Sequence, residues 1–181
     1  DLLDVIAVEE LLKDITHVYH CAGLVNFSSR QQHRLYKINV EATANLVNAC
    51  LTAKVVKMVH VSSVAALGRA GNTNLTSEET PWKLNESSVY GYSKYLGEME
   101  VWRGIAEGLD AVIVNPSIIL GPGDWNKGST AIFKKIYDGF NWFTEGVNGF
   151  VDVRDVSKAM VALMESNVSA EKFIISAENR K

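Results

Sequence analysis

Tyr90 and Lys94 stand four residues apart at the start of a helical stretch, Val89–Glu107. That spacing puts both side chains on one face of a helix, about a turn apart. A free phenol has a pKa near ~10, too high for a base at neutral pH, and a neighbouring ammonium favours the phenolate. The pair therefore suits proton transfer at a carbonyl or carbinol oxygen. Earlier in the chain the apolar run Val59-His60-Val61 ends in two hydroxyls, Ser62 and Ser63. A hydroxyl at a strand end could hydrogen-bond the same oxygen and orient it. Taken singly, a Tyr–Lys pair on a helix is ordinary and Ser63 is equally a turn starter. Their conjunction carries the argument.

The elements that must position these groups follow from the apolar pattern. Four short runs, Thr16–Cys21, Val55–Val61, Ala111–Asn115 and Lys172–Ser176, are rich in Val and Ile with little alternation. Strands covered on both faces of a parallel sheet read this way. Between them, Gln31–Ala53 and Val89–Glu107 carry helical periodicity. Ile38, Ala42, Leu46, Ala49 and Cys50 form the apolar stripe of the first, and Tyr92, Leu96, Met99, Arg103 and Ala106 the stripe expected for the second. A further helix opens at Asp152, an N-cap with Asp155 three residues on, and runs to about Glu165. Gly68–Asn85 and Gly121–Gly128 read as loops. Strand–helix alternation predicts an α/β layered fold with right-handed crossovers, whose ligands lie outside the carboxyl ends of the strands.

The 181 residues are 47% apolar and 22% charged, with a net charge of −3. This is the composition of one globular domain and gives no nucleic-acid or membrane footprint. Asp1 and Asp4 stand where a signal peptide would be basic, and no apolar run nears ~20 residues, so a cytoplasmic protein is expected. The two cysteines, Cys21 and Cys50, read as buried free thiols. His17 and His20 are an odd distance apart on a strand and face opposite sides, so no metal site is expected. His60 reads as a strand histidine with a local hydrogen bond. Trp82, Trp125 and Trp142 lie in or near loops, where packing is the commoner role and pocket lining the alternative.

The order His20-Cys21-Ala22-Gly23, Asn39-Val40, Ser62-Ser63, Tyr90-Gly91-Tyr92-Ser93-Lys94 and Asn115-Pro116-Ser117 resembles the extended short-chain dehydrogenases. These are the NAD-dependent epimerase/dehydratase group, with dihydroflavonol-reductase-like members. Gly121-Pro122-Gly123-Asp124 and Phe150-Val151-Asp152-Val153-Arg154-Asp155-Val156 extend the likeness over nearly the whole chain. The resemblance implies a Rossmann-like, doubly wound parallel sheet and NAD or NADP as cofactor. It implies Tyr90 as catalytic acid/base, Lys94 as the residue that lowers its pKa and bonds the nicotinamide ribose, and Ser63 as the hydrogen bond to the substrate oxygen. Ala22 and Gly23 match the turn where cofactor passes close to backbone, an approach that suits glycine. Pro116 and Ser117 match the segment against the nicotinamide, Asp1 and Leu2 an adenine contact, and Asn39 a structural residue near the site. Asn26 and Phe27 are the expected substrate contacts.

No Gly-x-Gly-x-x-Gly occurs. By the resemblance, residues 1–181 are expected to be a partial NAD(P)-binding domain with part of the substrate region, without the Gly-rich segment, its strands and the C-terminal lobe, and to bind a dinucleotide poorly alone. Val64-Ala65-Ala66 after Ser63 lack the acidic pair of the 4,6-dehydratases, and Leu67-Gly68 stands where epimerases often carry Tyr-Gly. Hydride transfer on a small hydroxylated substrate is the leading expectation. Epimerisation of a nucleotide sugar with recycled cofactor, and a non-catalytic dinucleotide sensor, are the alternatives. The two long helices resemble those that pair in family homodimers.

Overall fold

The computed structural model describes residues 1–68, 76–83, 87–126, 128–141 and 146–180. Trp142 and parts of the Gly68–Asn85 and Gly121–Gly128 loops lie outside the described residues. The centre is a four-stranded sheet in the order β1 (His17–His20), β2 (Lys57–Val61), β3 (Ala111–Pro116) and β6 (Glu171–Ile175). All three pairings are parallel, with Val18 opposite Met58, Val59 opposite Val112 and Asn115 opposite Ile174. These are the four runs expected from composition, shifted by one or two residues at their ends.

Helices cover both faces, which is why the strands carry no polar alternation. On one face, Met58, Ala111 and Ile113 pack against Val8 of α1 (Val5–Leu11), Leu46, Val47 and Cys50 of α3 (Ala42–Ala53) and Val101 of α4 (Val89–Ala106). On the other, Val59 and Val114 meet Val156, Met160 and Met164 of α6 (Val153–Glu165). Neighbouring residues such as Met58 and Val59 thus enter opposite layers, as the two-residue repeat of a strand requires. The Asp152 side chain accepts from the Arg154 N–H at 2.8 Å and caps α6 as expected.

A second, three-stranded sheet was not foreseen. β4 (Ile118–Leu120) pairs in parallel with β5 (Asn148–Asp152), and β5 pairs antiparallel with β7 (Glu178–Arg180). Its strands are short and mostly partly exposed. Apart from the three residues Ile118-Ile119-Leu120, they give no apolar run of ordinary strand length for a sequence reading to detect. Between β4 and β5 lies α5 (Thr130–Tyr137), which buries no residue. None of the described helices is long and apolar enough to cross a membrane.

Two helical expectations need correction. Gln31–Ala53 is not one α-helix: a 3₁₀ turn at Ser29–Gln31 leads into α2 (Gln32–Tyr36), then a π-helical turn at Lys37–Glu41, then α3. Apolar periodicity cannot register a one-residue insertion in the hydrogen-bond ladder. In α4 the buried face is not the Tyr92–Leu96–Met99–Arg103 stripe but Gly91, Lys94, Gly97, Glu98, Val101 and Gly104. Close approach explains the inversion. A β-carbon at Gly97 would lie 2.2 Å from the Asn39 carbonyl oxygen, and one at Gly104 2.4 Å from Val47 Cγ1. The inner face is built from small residues and two charged ones, so hydrophobicity points the wrong way.

Candidate functional site at the carboxyl edge of the sheet

Three elements end at one edge of the sheet. β2 runs out into Ser62 and Ser63, where Ser63 begins a short 3₁₀ turn, Val64–Ala66, and its Oγ accepts the Ala65 N–H at 3.1 Å. α4 starts nearby, its first turn capped by Ser88 Oγ, which accepts from Gly91 N–H at 3.0 Å. Gly91 rides on the Ser63 turn, since a β-carbon there would sit 2.5 Å from the Ala65 carbonyl oxygen. This contact sets Tyr90 beside Ser63, whose hydroxyl acts to lower the phenol's pKa. The two hydroxyls at the end of β2 diverge: Ser62 is buried and donates to Glu98 at 2.9 Å.

One turn along α4, Lys94 is buried and its Nζ donates to the Val61 carbonyl at 2.9 Å. Burial lowers its pKa to about 8, with Glu98 and then Cys21 opposing the shift. The phenol behaves otherwise than spacing suggested. Burial raises the Tyr90 pKa, and the Ser63 hydroxyl opposes this only in part. The ammonium that would lower it is engaged with the Val61 carbonyl instead.

After β1 the chain passes directly beside this lysine. A β-carbon on Gly23 would lie 3.4 Å from Asn39 Oδ1 and 3.7 Å from Lys94 Nζ, so the turn leaves backbone-width space there. Ala22 and Gly23 are exposed along the same turn. Asn39, in the π-helical turn, fixes the segment: its Oδ1 accepts from Leu24 N–H at 2.7 Å and its Nδ2 donates to the Leu24 carbonyl at 3.0 Å. The same Nδ2 donates to Ser93 Oγ at 2.9 Å, tying the turn to α4.

The other expected contacts fall around this centre unevenly. Phe27 meets the Tyr90 ring edge-on, centroids 5.4 Å apart, while Asn26 turns its Oδ1 to its own loop at Ser28 N–H. Pro116 closes β3, and the Ser117 N–H donates to the Ile175 carbonyl at 3.0 Å. Ser117 also lines a cleft of about 680 Å³ beside the Ser63 turn, with Val64, Ala65, Asn148, Ser176 and Asn179. Asp1 is exposed and caps its own turn at Leu3 N–H, whereas Leu2 packs on the core and its carbonyl accepts from Asn45. Trp82 stacks on Tyr95 at 4.1 Å, a packing role.

Cys21 and His60 differ from expectation. Cys21 is exposed, because β1 ends at His20 and the next residue already belongs to the open turn. His60 has no hydrogen-bond partner on either ring nitrogen; it is fully buried, with its ring centroid 4.9 Å from that of His20. Burial, then the Lys94 charge, push both histidines down, His20 to about 4. Sequence reasoning also missed Glu98, a buried carboxylate one turn beyond Lys94. A Tyr-x-x-x-Lys-x-x-x-Glu spacing on one helix face was the available signal.

Solved structures share this fold. The crystal structure of gox2253 superposes with a TM-score of 0.89 at 33% identity, over 99% of this chain and 56% of that one. UDP-glucuronic acid 4-epimerase from Bacillus cereus, in complex with UDP-glucuronic acid and NAD, matches at TM-score 0.86 and 22% identity over 99% and 60% of the two chains, a likeness of fold. Among curated proteins, tetraketide alpha-pyrone reductase 2 of Arabidopsis thaliana is 31% identical over 188 residues, covering 93% of this chain and 57% of its own length. Cinnamoyl-CoA reductase 1 of Petunia hybrida is 28% identical over 185 residues, 96% and 55%. The chain thus spans just over half the length of such relatives. Residues 1–176 match the family described as NAD dependent epimerase/dehydratase, and the chain belongs to that family, with NAD or NADP as cofactor.

Proposed function

We propose that this chain carries the proton-transfer centre of an NAD(P)-dependent oxidoreductase acting at a carbonyl or carbinol carbon. The placing of Tyr90 beside Ser63 by the Gly91–Ala65 contact, with buried Lys94 one turn on at the carboxyl edge of a parallel sheet, is the observation that carries this reading. When bound, the nicotinamide supplies or accepts the hydride. The Gly23 turn supports a site for it, since a β-carbon would fill the space toward Lys94 and Asn39.

In the reducing direction, Tyr90 gives its phenolic proton to the substrate oxygen as the carbonyl becomes an alcohol. Its raised pKa suits the acid role, because the group is fully protonated at neutral pH. Ser63 orients the same oxygen through its hydroxyl. Lys94 would turn from the Val61 carbonyl toward the nicotinamide ribose, where its charge stabilises the phenolate left on Tyr90. Ala22, Gly23, Pro116 and Ser117 would line the cofactor, and Phe27 with the cleft at Ser117 the substrate. Asn39 holds the Gly23 turn against α4 and so fixes the space between them.

The likeness to the two reductases above favours net reduction over epimerisation. With the protein and candidate substrates, a net change in nicotinamide absorbance supports a reductase; sugar turnover without one replaces it by the epimerase reading. Unchanged turnover in Tyr90→Phe would remove Tyr90 from the chemistry.

The partly buried outer stripe of α4, Tyr92, Leu96 and Met99, and the exposed Tyr36 of α2 support a homodimer through these helices. A monomeric mass by light scattering would overturn it. The unpaired thiols of Cys21 and Cys50 support a reducing compartment, the cytoplasm.

A further inference from the structure

We propose that Glu98 is a positioning residue that keeps Lys94 cationic and fixes α4 against the strand ends of the site, an inference that rests on the roles proposed above for Tyr90 and Lys94. Glu98 lies one turn beyond Lys94 on the buried face of α4 and is 1% exposed. A carboxylate taken so far from water persists only when its oxygens are paired and hydrogen-bonded. Here both are. Oε2 accepts from Ser62 Oγ at 2.9 Å and from Asn115 Nδ2 at 3.0 Å. Oε1 accepts from Trp102 Nε1 at 3.4 Å and faces Lys172 Nζ at 3.5 Å. The same Asn115 nitrogen donates to the Ser63 carbonyl at 3.0 Å. One carboxylate therefore joins α4 to the ends of β2 and β3 and to β6.

Its charge faces a small set of groups. Lys94 feels the field of Glu98 on its own helix and of the Cys21 thiol after β1, and its charge acts in turn on His20 of β1 and His60 of β2. Both histidines are held neutral by burial, and burial raises the Cys21 thiol. Among these described groups Glu98 alone bears a carboxyl group, and Lys172 faces it from β6. Without Glu98, Lys94 would sit buried beside neutral groups and shed its proton more readily.

The test follows the Lys94 Nζ resonance through pH by isotope-edited NMR, assigned by its loss in Lys94→Arg, beside the pH profile of kcat. Glu98→Gln is expected to lower the Lys94 titration by about one pH unit, the low end of what an adjacent opposite charge does at a buried site. It draws the alkaline limb of activity down with it. Lys172→Gln, at a side chain 25% exposed, is expected to raise the same titration by less. The opposite signs are the signature; a purely structural Glu98 would lower the melting temperature and leave both titrations where they were, which overturns the proposal. Should Glu98→Gln not fold, Lys172→Gln decides alone: an unmoved Lys94 resonance rejects it. The NMR readout needs no turnover, so it stands apart from the Tyr90→Phe test of the catalytic reading.

Discussion

The two sheets of this chain end in very different surroundings. Around the four-stranded sheet, the candidate site is cross-linked in depth: Asn39 binds the loop after β1, Glu98 binds three strands, and glycines let α4 approach backbone to backbone. Around the three-stranded sheet, α5 buries nothing, and Ile132, Phe133, Ile136 and Tyr137 are exposed. Both regions border the cleft, and among the described residues the first is the more densely cross-linked. Proton transfer needs atoms held at hydrogen-bond distance, which favours placing it on the rigid half. Surfaces that read variable substrates tolerate looser support.

Breaking the rigid half should show this most strongly in activity. Tyr90→Phe is expected to lower kcat by about 10²–10⁴-fold with the fold unchanged by circular dichroism. Next comes Gly97→Ala. The new methyl meets the Asn39 carbonyl at 2.2 Å, so α4 must move off the π-helical turn, at about 1–3 kcal/mol, offset in part by alanine's helix preference. Urea unfolding that shows no loss would mean the two backbones are not in contact.

Acid should weaken the same half. His20 has its folded pKa lowered from 6.5 to about 4, so the unfolded chain binds more protons between these values. Stability is then full above pH 6.5 and falls as pH drops toward 4, by up to about 3 kcal/mol from this residue. Lys94 acts likewise between 10.5 and about 8, losing stability as pH falls through that window. His60→Met removes an orphaned imidazole and its share of the acid loss, and should match or exceed the parent's stability at neutral pH. Equal acid loss in parent and variant would show that His60 contributes nothing to it. The smallest effect is expected in the loose half: Ile136→Gln on exposed α5 should change stability by less than about 0.5 kcal/mol. A larger loss would show that α5 is packed after all, and the contrast between the halves would fail.

Much of the four-stranded sheet was legible because strands covered on both faces must be largely apolar, and Val55–Val61 and Ala111–Asn115 are, apart from Lys57, His60 and Asn115. The weak strands Asn148–Asp152 and Glu178–Arg180 were not, because partly exposed three- to five-residue segments need no apolar pattern. Ser63, Tyr90 and Lys94 were legible from residue type and order. Glu98 was not weighed, since a glutamate on a helix reads as surface until its neighbours are known. The same blindness inverted the burial of α4, where glycine and charge lie inside and Tyr92 and Leu96 outside.

Sequence alone determined the four central strands, the parallel α/β class, the family and the candidate residue types for proton transfer, because periodicity and motif order are local properties of the chain. Only the tertiary structure decided that Tyr90 titrates upward, that Lys94 rests on the Val61 carbonyl, that Cys21 is open and that Glu98 is buried at the hub. Those facts depend on distance from water and on partners far along the chain. Desolvation and Coulomb energy are set by that three-dimensional neighbourhood, which no spacing along the sequence encodes.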